Sequence, residues 1–210
     1  MRKSTKPISH PSLKLVAPSC PSIPSREPPS EPADNQPLQV TAGFGRRFQL
    51  GLPLDAFPEI VERLRGTPAR LVERTRSIPP QRLIQQFAGT WSIQENVGHL
   101  LDLEPLWAGR LDDFLQEATA LRPADLSNRK TDEAAHNAQP LDTLLASFRS
   151  ARMAFVTRLE GLSPSQLQRT ALHPRLQQPM TVTDHCFFVA EHDDHHLARI
   201  TELLQIEAAV

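Results

Sequence analysis

The stretch TVTDHCFFVAEHDDHHLARITEL, residues 181–203, carries an apolar pattern at helical spacing. The side chains of this stripe are Val182, Phe188, Val189, Ile200 and Leu203. Counting about 100° per residue places His192 and His196 on the same face as the stripe. The stretch therefore predicts an amphipathic helix that begins near Thr181 and turns two histidines toward the protein core.

Three further helical segments lie upstream of this stretch. The first, 55–77, is interrupted at Gly66-Thr67-Pro68, where we expect one helix to end and another to begin. The second, 92–120, opens with Ser92-Ile93-Gln94-Glu95, the pattern of a capping box. The third, 140–161, has a proline at its start and a glycine just past its end.

These four segments predict the fold class. Period-2 alternation and paired strand-and-turn signals are scarce after residue 48. The apolar stripes are too wide to face water, and the internal repeat that an open helical array requires is not apparent. We therefore predict an all-α four-helix bundle over residues 49–210.

The first 48 residues differ in composition from the rest. Nine of the twenty prolines precede residue 40, with hardly an aromatic side chain among them. Such a segment buries too little apolar surface to offset the entropy of ordering it. We predict a disordered, Pro/Ser-rich N-terminal tail over residues 1–48.

Charge and composition narrow the choice of partners and compartment. A formal net charge of −1 gives no electrostatic reason to expect nucleic acid or an anionic membrane. No apolar run approaches the roughly 18 residues of a spanning helix. Cys20 and Cys186 are too few and too far apart for a disulfide framework or a CxxC pair. We expect a cytoplasmic protein that acts on a small molecule.

The last predicted helix presents candidate metal ligands. His192 and His196 are four residues apart, which is about 6 Å of rise on one side of a helix. Two imidazoles at this spacing can hold one ion, as in helical zinc sites. The alternative is a pair of hydrogen-bonded core histidines, which is harder to satisfy because each ring brings a donor and an acceptor into the core. Asp193 and Asp194 point further round the helix, away from this face.

The remaining histidines suit such an ion to different degrees. His185 shares the face but lies about 10.5 Å along the axis from the pair, too far to bind the same ion. His195 points away from the centre of the face. His136 and His173 fall in predicted loops, where we expect a capping or surface role. His99 lies at the edge of the apolar arc of the second helix and is a candidate third ligand.

Three motifs stand out when these segments are taken together. They are W-S-x-x-E-x-x-x-H-L at 91–100, H-P at 173–174 and H-x-x-x-H-L-x-x-I at 192–200. With them the chain resembles the DinB/YfiT-like superfamily of metal-binding four-helix bundles, over roughly residues 50–206. It departs from many relatives at 175–178, where Arg-Leu-Gln-Gln stands in place of a segment with glycine.

The resemblance implies a bundle of up-down-down-up style that holds one divalent metal through His99, His192 and His196. It also implies activity as a transferase or isomerase that uses a low-molecular-weight thiol, since members with assigned activities are of that kind, while many others are named only as hydrolases. Zinc is the expected ion, and nickel, iron and copper also suit imidazole ligands.

Two charged residues interrupt apolar stripes. Arg152 lies at the centre of the stripe of the third helix, and Glu104 lies within that of the second. Buried charges require partners. Arg152 either pairs with Glu104, projects into a cavity to hold an anionic substrate group, or extends its guanidinium to solvent.

These features support two function hypotheses. The first is a metal-dependent enzyme, namely a small-thiol transferase or, as the alternative, a hydrolase. The second is a non-enzymatic, metal-bound binding or stress-response module, with which a homodimer through exposed helix faces is compatible. An open ligand position facing a cavity favours the enzyme. A fourth protein ligand, or a cavity filled by Trp107 and Phe188, favours the module. A metal-free polar core is a third hypothesis, which requires several specific partners for the histidines.

Overall fold

A computed structural model describes residues 47–206, and four long helices form most of it. In chain order the elements are a 3₁₀ turn Leu54–Ala56, α1 Phe57–Thr75, α2 Pro80–Leu83, α3 Ile93–Leu115, α4 Arg129–Glu133, a 3₁₀ turn His136–Ala138, α5 Leu141–Glu160, α6 Pro164–Leu167, β1 Thr170–His173, β2 Gln178–Thr181 and α7 Val182–Gln205. Each of α1 and α3 packs against both α5 and α7. The predicted four-helix bundle is confirmed.

Local sequence signals set the ends of the long helices. The capping box of α3 is present, with the Ser92 hydroxyl accepting from the Glu95 N–H and the Glu95 carboxylate accepting from the Ser92 N–H. Pro140 and Gly161 flank α5 as predicted. Thr181 caps α7 in a second box with Asp184. α3 ends at Leu115 rather than near residue 120, because Glu117 adopts a left-handed conformation with φ of 57°.

The predicted break in the first helical segment is wrong, because α1 runs through Pro68 without interruption. Proline lacks an N–H, so the carbonyl of Leu64 loses its helical donor. The Arg152 guanidinium lies 3.5 Å from that carbonyl oxygen. A side-chain donor from α5 therefore takes the place of the missing N–H and lets the helix tolerate its proline.

The expectation of no paired strands also needs correction. β1 and β2 form a short antiparallel hairpin in which Thr170 pairs with Thr181 and His173 with Gln178. Its turn uses Gln177 at a positive φ of 53° in place of the glycine or asparagine that marks most hairpins. The hairpin brings His173, which was expected at the surface, into a buried position.

The core consists of two apolar clusters with a polar layer between them. One cluster includes Trp107, Phe155 and Val189, and the other includes Phe148 and Ile200. Between them, each long helix contributes one polar side chain, and all four are buried. These side chains are Thr67, Glu104, Arg152 and Asp193.

Arg152 holds this polar layer together. Its Nε and Nη2 donate to Glu104 Oε1 at 3.0 and 2.6 Å, and its Nη1 and Nη2 donate to Asp193. Thr67 donates to Asp193 Oδ2 at 2.8 Å. Burial raises the pKa of Glu104 to about 7, although Arg152 opposes this rise. The structure thus shows the ion pair with Glu104 and adds Asp193, which was expected to point away from the core.

The predicted tail, residues 1–48, lies outside the described residues except for Arg47 and Phe48. The ring centroid of Phe48 is 4.9 Å from that of Phe188. The N–H groups of Gly51 and Leu52 donate to Asp184 at 2.8 and 2.9 Å, which fastens the segment before α1 to the start of α7. Within residues 47–206, no helix is long and apolar enough to cross a membrane.

The polar layer gives a stability prediction. Arg152→Met leaves two buried carboxylates without their cation, so we expect the free energy of unfolding to fall by about 3–5 kcal/mol. Glu104→Gln keeps an oxygen acceptor for the guanidinium and should cost less. Urea unfolding followed by circular dichroism measures both. Arg149→Met, at an exposed position on the same helix, is the control and should change stability by less than about 0.5 kcal/mol. Equal stability of Arg152→Met and this control would contradict the role of the layer.

Candidate metal centre

Three histidines from two helices meet at one point. His99 comes from α3, and His192 and His196 come from α7. Their ligand nitrogens all lie within 4.8 Å of one another. His99 and His196 are buried, and His192 is partly exposed. This is the set that the sequence pattern and the family resemblance brought together.

A hydrogen bond to Asn96 determines which nitrogen of His196 is available. The Asn96 amide nitrogen donates to the Ser92 carbonyl at 2.8 Å, so the amide oxygen faces the histidine. That oxygen lies 2.8 Å from His196 Nδ1. Because a carbonyl oxygen only accepts, Nδ1 carries the proton. Nε2 of His196 is therefore left with a lone pair.

A second chain of hydrogen bonds does the same for His99. The Thr131 hydroxyl donates to Asp102 Oδ2 at 3.0 Å and lies 2.9 Å from His99 Nδ1. A hydroxyl has one proton, so Thr131 accepts from His99 Nδ1–H. Partners of this kind on the far nitrogen fix the tautomer and orientation of metal-binding imidazoles.

His136 extends this chain and does not lie where the sequence predicted. We expected a capping or surface role, but the ring is buried and its Nε2 lies 2.8 Å from Asp102 Oδ2. The ring fits because residue 98 is glycine, since a Cβ there would lie 2.3 Å from it. Gly98 thereby makes room for the group that positions Asp102.

The protonation states suit metal binding. Burial lowers the pKa of His99 to about 4, and it lowers the pKa of His196 well below 6.5. Both rings are neutral at pH 7, which is the form that binds a metal. Together with His192, whose ligand nitrogen lies within 4.8 Å of theirs, these two neutral rings fit a divalent transition metal.

The cluster faces a cavity of about 370 Å³. Most of its wall is apolar, and this part includes Leu103, Leu106, Trp107 and Phe188. Trp107 and Phe188 line the cavity and do not fill it. The polar part of the wall includes Arg110, His173, Arg175 and His195. A small organic molecule can therefore reach the three histidines.

The other candidate residues lie apart from the cavity wall. Arg152 and Glu104 belong to the polar layer and do not line the cavity. His185 is fully buried, 3.3 Å from the Trp107 carbonyl, and is not part of the cluster. Cys186 is also buried, and burial raises the pKa of its thiol.

Several residues of the site were not identified from the sequence. Asn96, Asp102, Thr131 and Arg110 received no role, although Asn96 and Asp102 each lie three residues from His99. That spacing places them beside the ligand on the helix surface and was the available signal. Thr131 and Arg110 had no comparable signal, because their contacts depend on how the segment after α3 folds back.

Comparison with known proteins agrees with this geometry. The family model of the DinB superfamily matches residues 63–200, well over half of the chain. The chain belongs to the DinB superfamily. A Bacillus pumilus protein named "Putative metal-dependent hydrolase" is 24% identical over 162 residues, which cover 75% of this chain and 86% of that protein.

Two solved structures share the fold of this DinB superfamily member. YfiT from Bacillus subtilis, described as a "probable metal-dependent hydrolase with an unusual four-helix bundle topology", matches with a TM-score of 0.69 and 22% identity, over 78% of this chain and 94% of its own. The mycothiol-dependent maleylpyruvate isomerase matches with a TM-score of 0.56 and 10% identity, over 70% and 60%. A metal-dependent family and a three-histidine cluster together support a divalent metal cofactor.

The space at Gly98 can be tested directly. Gly98→Ala forces the His136 ring away from Asp102 and loosens the chain that orients His99, so we expect metal affinity to fall about 10–100-fold. A competition titration of zinc against a chromophoric chelator gives the affinity. The matched control is Gly66→Ala in α1, where a Cβ meets nothing within 4 Å. If both variants bind zinc like the parent, His136 has no part in orienting the ligand.

The buried histidines also predict an acid-sensitive stability in metal-free protein. Burial lowers the pKa of His185 to about 3 and that of His173 to about 4, whereas the unfolded chain titrates near 6.5. The unfolded state therefore binds more protons between these limits, and stability falls as the pH drops from 6.5 toward 4. His185→Phe should reduce that slope by up to about 1.4 kcal/mol per pH unit. An unchanged slope in chemical unfolding would show that His185 is protonated in the fold.

Proposed function

We propose that the chain is a metal-dependent enzyme that transfers a group between a small thiol and a small-molecule substrate. The observation that carries this proposal is the cluster of three imidazoles, His99, His192 and His196, facing a cavity of about 370 Å³. Within residues 47–206 the cluster has no fourth histidine, cysteine or carboxylate. An open position is typical of catalytic rather than structural sites.

In this proposal the three histidines hold one divalent ion, with zinc as the expected ion and nickel and iron as alternatives. The ion would lower the pKa of a bound water or thiol and so supply a nucleophile at neutral pH. The remaining chemistry depends on which groups the wall offers to that nucleophile.

Among residues 47–206, the chain offers no thiol at the cavity. In the part that the structure describes, Cys186 is the one cysteine, and it lies away from the wall with its thiol pKa raised by burial. A buried thiol of this kind is inert. We therefore take the nucleophile to be the thiol of a small molecule.

The described part of the wall carries one carboxylate, Asp125, and it is a weak base for activating water. Asp125 accepts from the Ser127 hydroxyl and from the N–H groups of Ser127 and Arg129, and these hydrogen bonds lower its pKa. A thiol needs less help, because it loses its proton near pH 8.5 and water only near 15.7. This difference favours a thiol nucleophile, and the fold shared with a mycothiol-dependent enzyme supports the choice.

Hydrolysis is the second candidate. It is favoured by the names of the two Bacillus relatives and by His195, which lines the cavity with its ring centroid 5.2 Å from that of His196. His195 would then be the base for water. In both candidates Arg152 and Glu104 act as positioning residues, because their layer holds α3 and α7 in place.

The proposal is tested with untagged protein loaded with cobalt(II), whose absorption reports its ligands. We expect about one equivalent of cobalt in the parent and in His195→Ala, because His195 is outside the cluster. Loss of cobalt is expected in His99→Ala, His192→Ala and His196→Ala. Adding N-acetylcysteine to the loaded parent should produce a near-ultraviolet charge-transfer band and saturable thiol transfer to 1-chloro-2,4-dinitrobenzene.

The same experiment separates the alternatives. Cobalt binding without a thiol band, together with hydrolysis of 4-nitrophenyl acetate that is lost in His195→Ala, would replace the transferase with the hydrolase. A folded parent that takes up neither cobalt nor zinc would overturn the enzyme proposal and leave a non-enzymatic module.

A further inference from the structure

Arg110 on α3 is a buried cation at the cavity wall. Its side chain is 2% exposed and lines the cavity. Nε donates to the Arg122 carbonyl at 3.1 Å, and Nη1 lies 3.2 Å from Nε2 of His173, whose Nδ1 accepts from the Leu176 N–H. Both neighbours are neutral, since one is a backbone carbonyl and burial lowers the pKa of His173 to about 4. The charge of Arg110 is therefore not compensated by its hydrogen bonds.

The acidic side chains that flank Arg110 along α3 are engaged by other arginines. Asp113, one turn along α3 from Arg110, accepts hydrogen bonds from Arg122 Nε at 3.0 Å and Nη2 at 2.7 Å. The Arg122 guanidinium reaches it across Gly109, where a Cβ would lie 2.1 Å from Arg122 Nη1. Glu104 is held by Arg152. Gly109 thus allows Arg122 to pair with Asp113. The guanidinium of Arg110, which lines the cavity, has neither of these carboxylates as a hydrogen-bond partner.

The surroundings of Arg110 add positive charge. Arg175 lines the same cavity. Burial lowers the pKa of Arg110 to about 10, with Asp113 opposing this shift and Arg175 and Arg122 adding to it. Arg110 remains a cation at pH 7. A desolvated guanidinium of this kind gains most from a carboxylate, whose two oxygens match its N–H groups.

We propose that Arg110 binds the carboxylate of a small acid substrate, with the apolar body of that substrate against Leu106, Trp107 and Phe188. Arg110 would then set the substrate class of the proposed enzyme: small carboxylic acids that are mostly apolar. The role of Arg110 in catalysis rests on that proposed function. Carboxylate binding itself can be measured without any metal.

The test uses metal-free protein and the matched pair 3-phenylpropionate and 3-phenylpropionamide. Both tryptophans of the chain, Trp91 and Trp107, line the cavity, so their fluorescence reports binding. We expect the acid to bind at least tenfold more tightly than the amide. Arg110→Met should abolish this preference and leave amide binding unchanged, while Arg149→Met should keep it.

A second variant guards against a simple failure of folding. Arg110→Lys retains a cation without the planar fork and should keep part of the preference. Melting curves establish that each variant is folded before binding is compared. Equal binding of acid and amide by the parent overturns the proposal, as does an unchanged preference in both Arg110 variants.

The metal separates carboxylate binding from the proposed transferase. Acid binding that appears only after zinc is added would place the carboxylate at the histidines and overturn the role of Arg110. Acid binding by metal-free protein that fails all thiol-transfer assays would keep the subsite and remove the transferase.

Discussion

One buried cation constrains this bundle. A buried guanidinium needs buried carboxylates beside it, and Arg152 pairs with Glu104 of α3 and Asp193 of α7. A shift of one helix along its axis would cost the apolar clusters less than it would cost this ion pair. The polar layer therefore sets the axial register of α3 and α7. Asp193 adjoins His192, and Glu104 lies little more than a turn from His99. The register that satisfies the arginine therefore also brings the three histidines together.

The cluster depends equally on the segment between α3 and α5. Thr131 and His136 both contact Asp102, and Thr131 also contacts the far nitrogen of His99. The same segment lines the cavity through residues 123–126. One irregular stretch thus orients a metal ligand and shapes the space for the substrate, and this dual role places it among loops that carry function.

Features that depend on helical period and local chemistry were predictable from the sequence. His192 and His196 share a helix, so their convergence needed only a count of residues, and the capping box at Ser92 identified the start of α3. Predictions failed where tertiary contacts override local rules. A helix break was predicted at Pro68 because the sequence does not show that Arg152, on another helix, approaches the freed carbonyl of Leu64. Asp193 was predicted to point outward because the sequence does not show that the same arginine lies within its reach. Arg110 had no signal, since its isolation depends on Arg122 reaching across Gly109.

The first turn of α3 also orients a histidine on another helix. Asn96, which holds His196, is itself anchored to the carbonyl of Ser92, the residue whose hydroxyl caps that turn. This turn is buried and doubly capped, so it should resist the fraying that is common at helix ends. Opening here would release the amide that orients a ligand on a different helix, so the stability of the turn would affect how long a bound ion is retained. A metal bound at the three histidines would in turn stabilise the closed form of this turn. Hydrogen exchange of its backbone amides would then be slower in the metal-bound protein than in the metal-free protein.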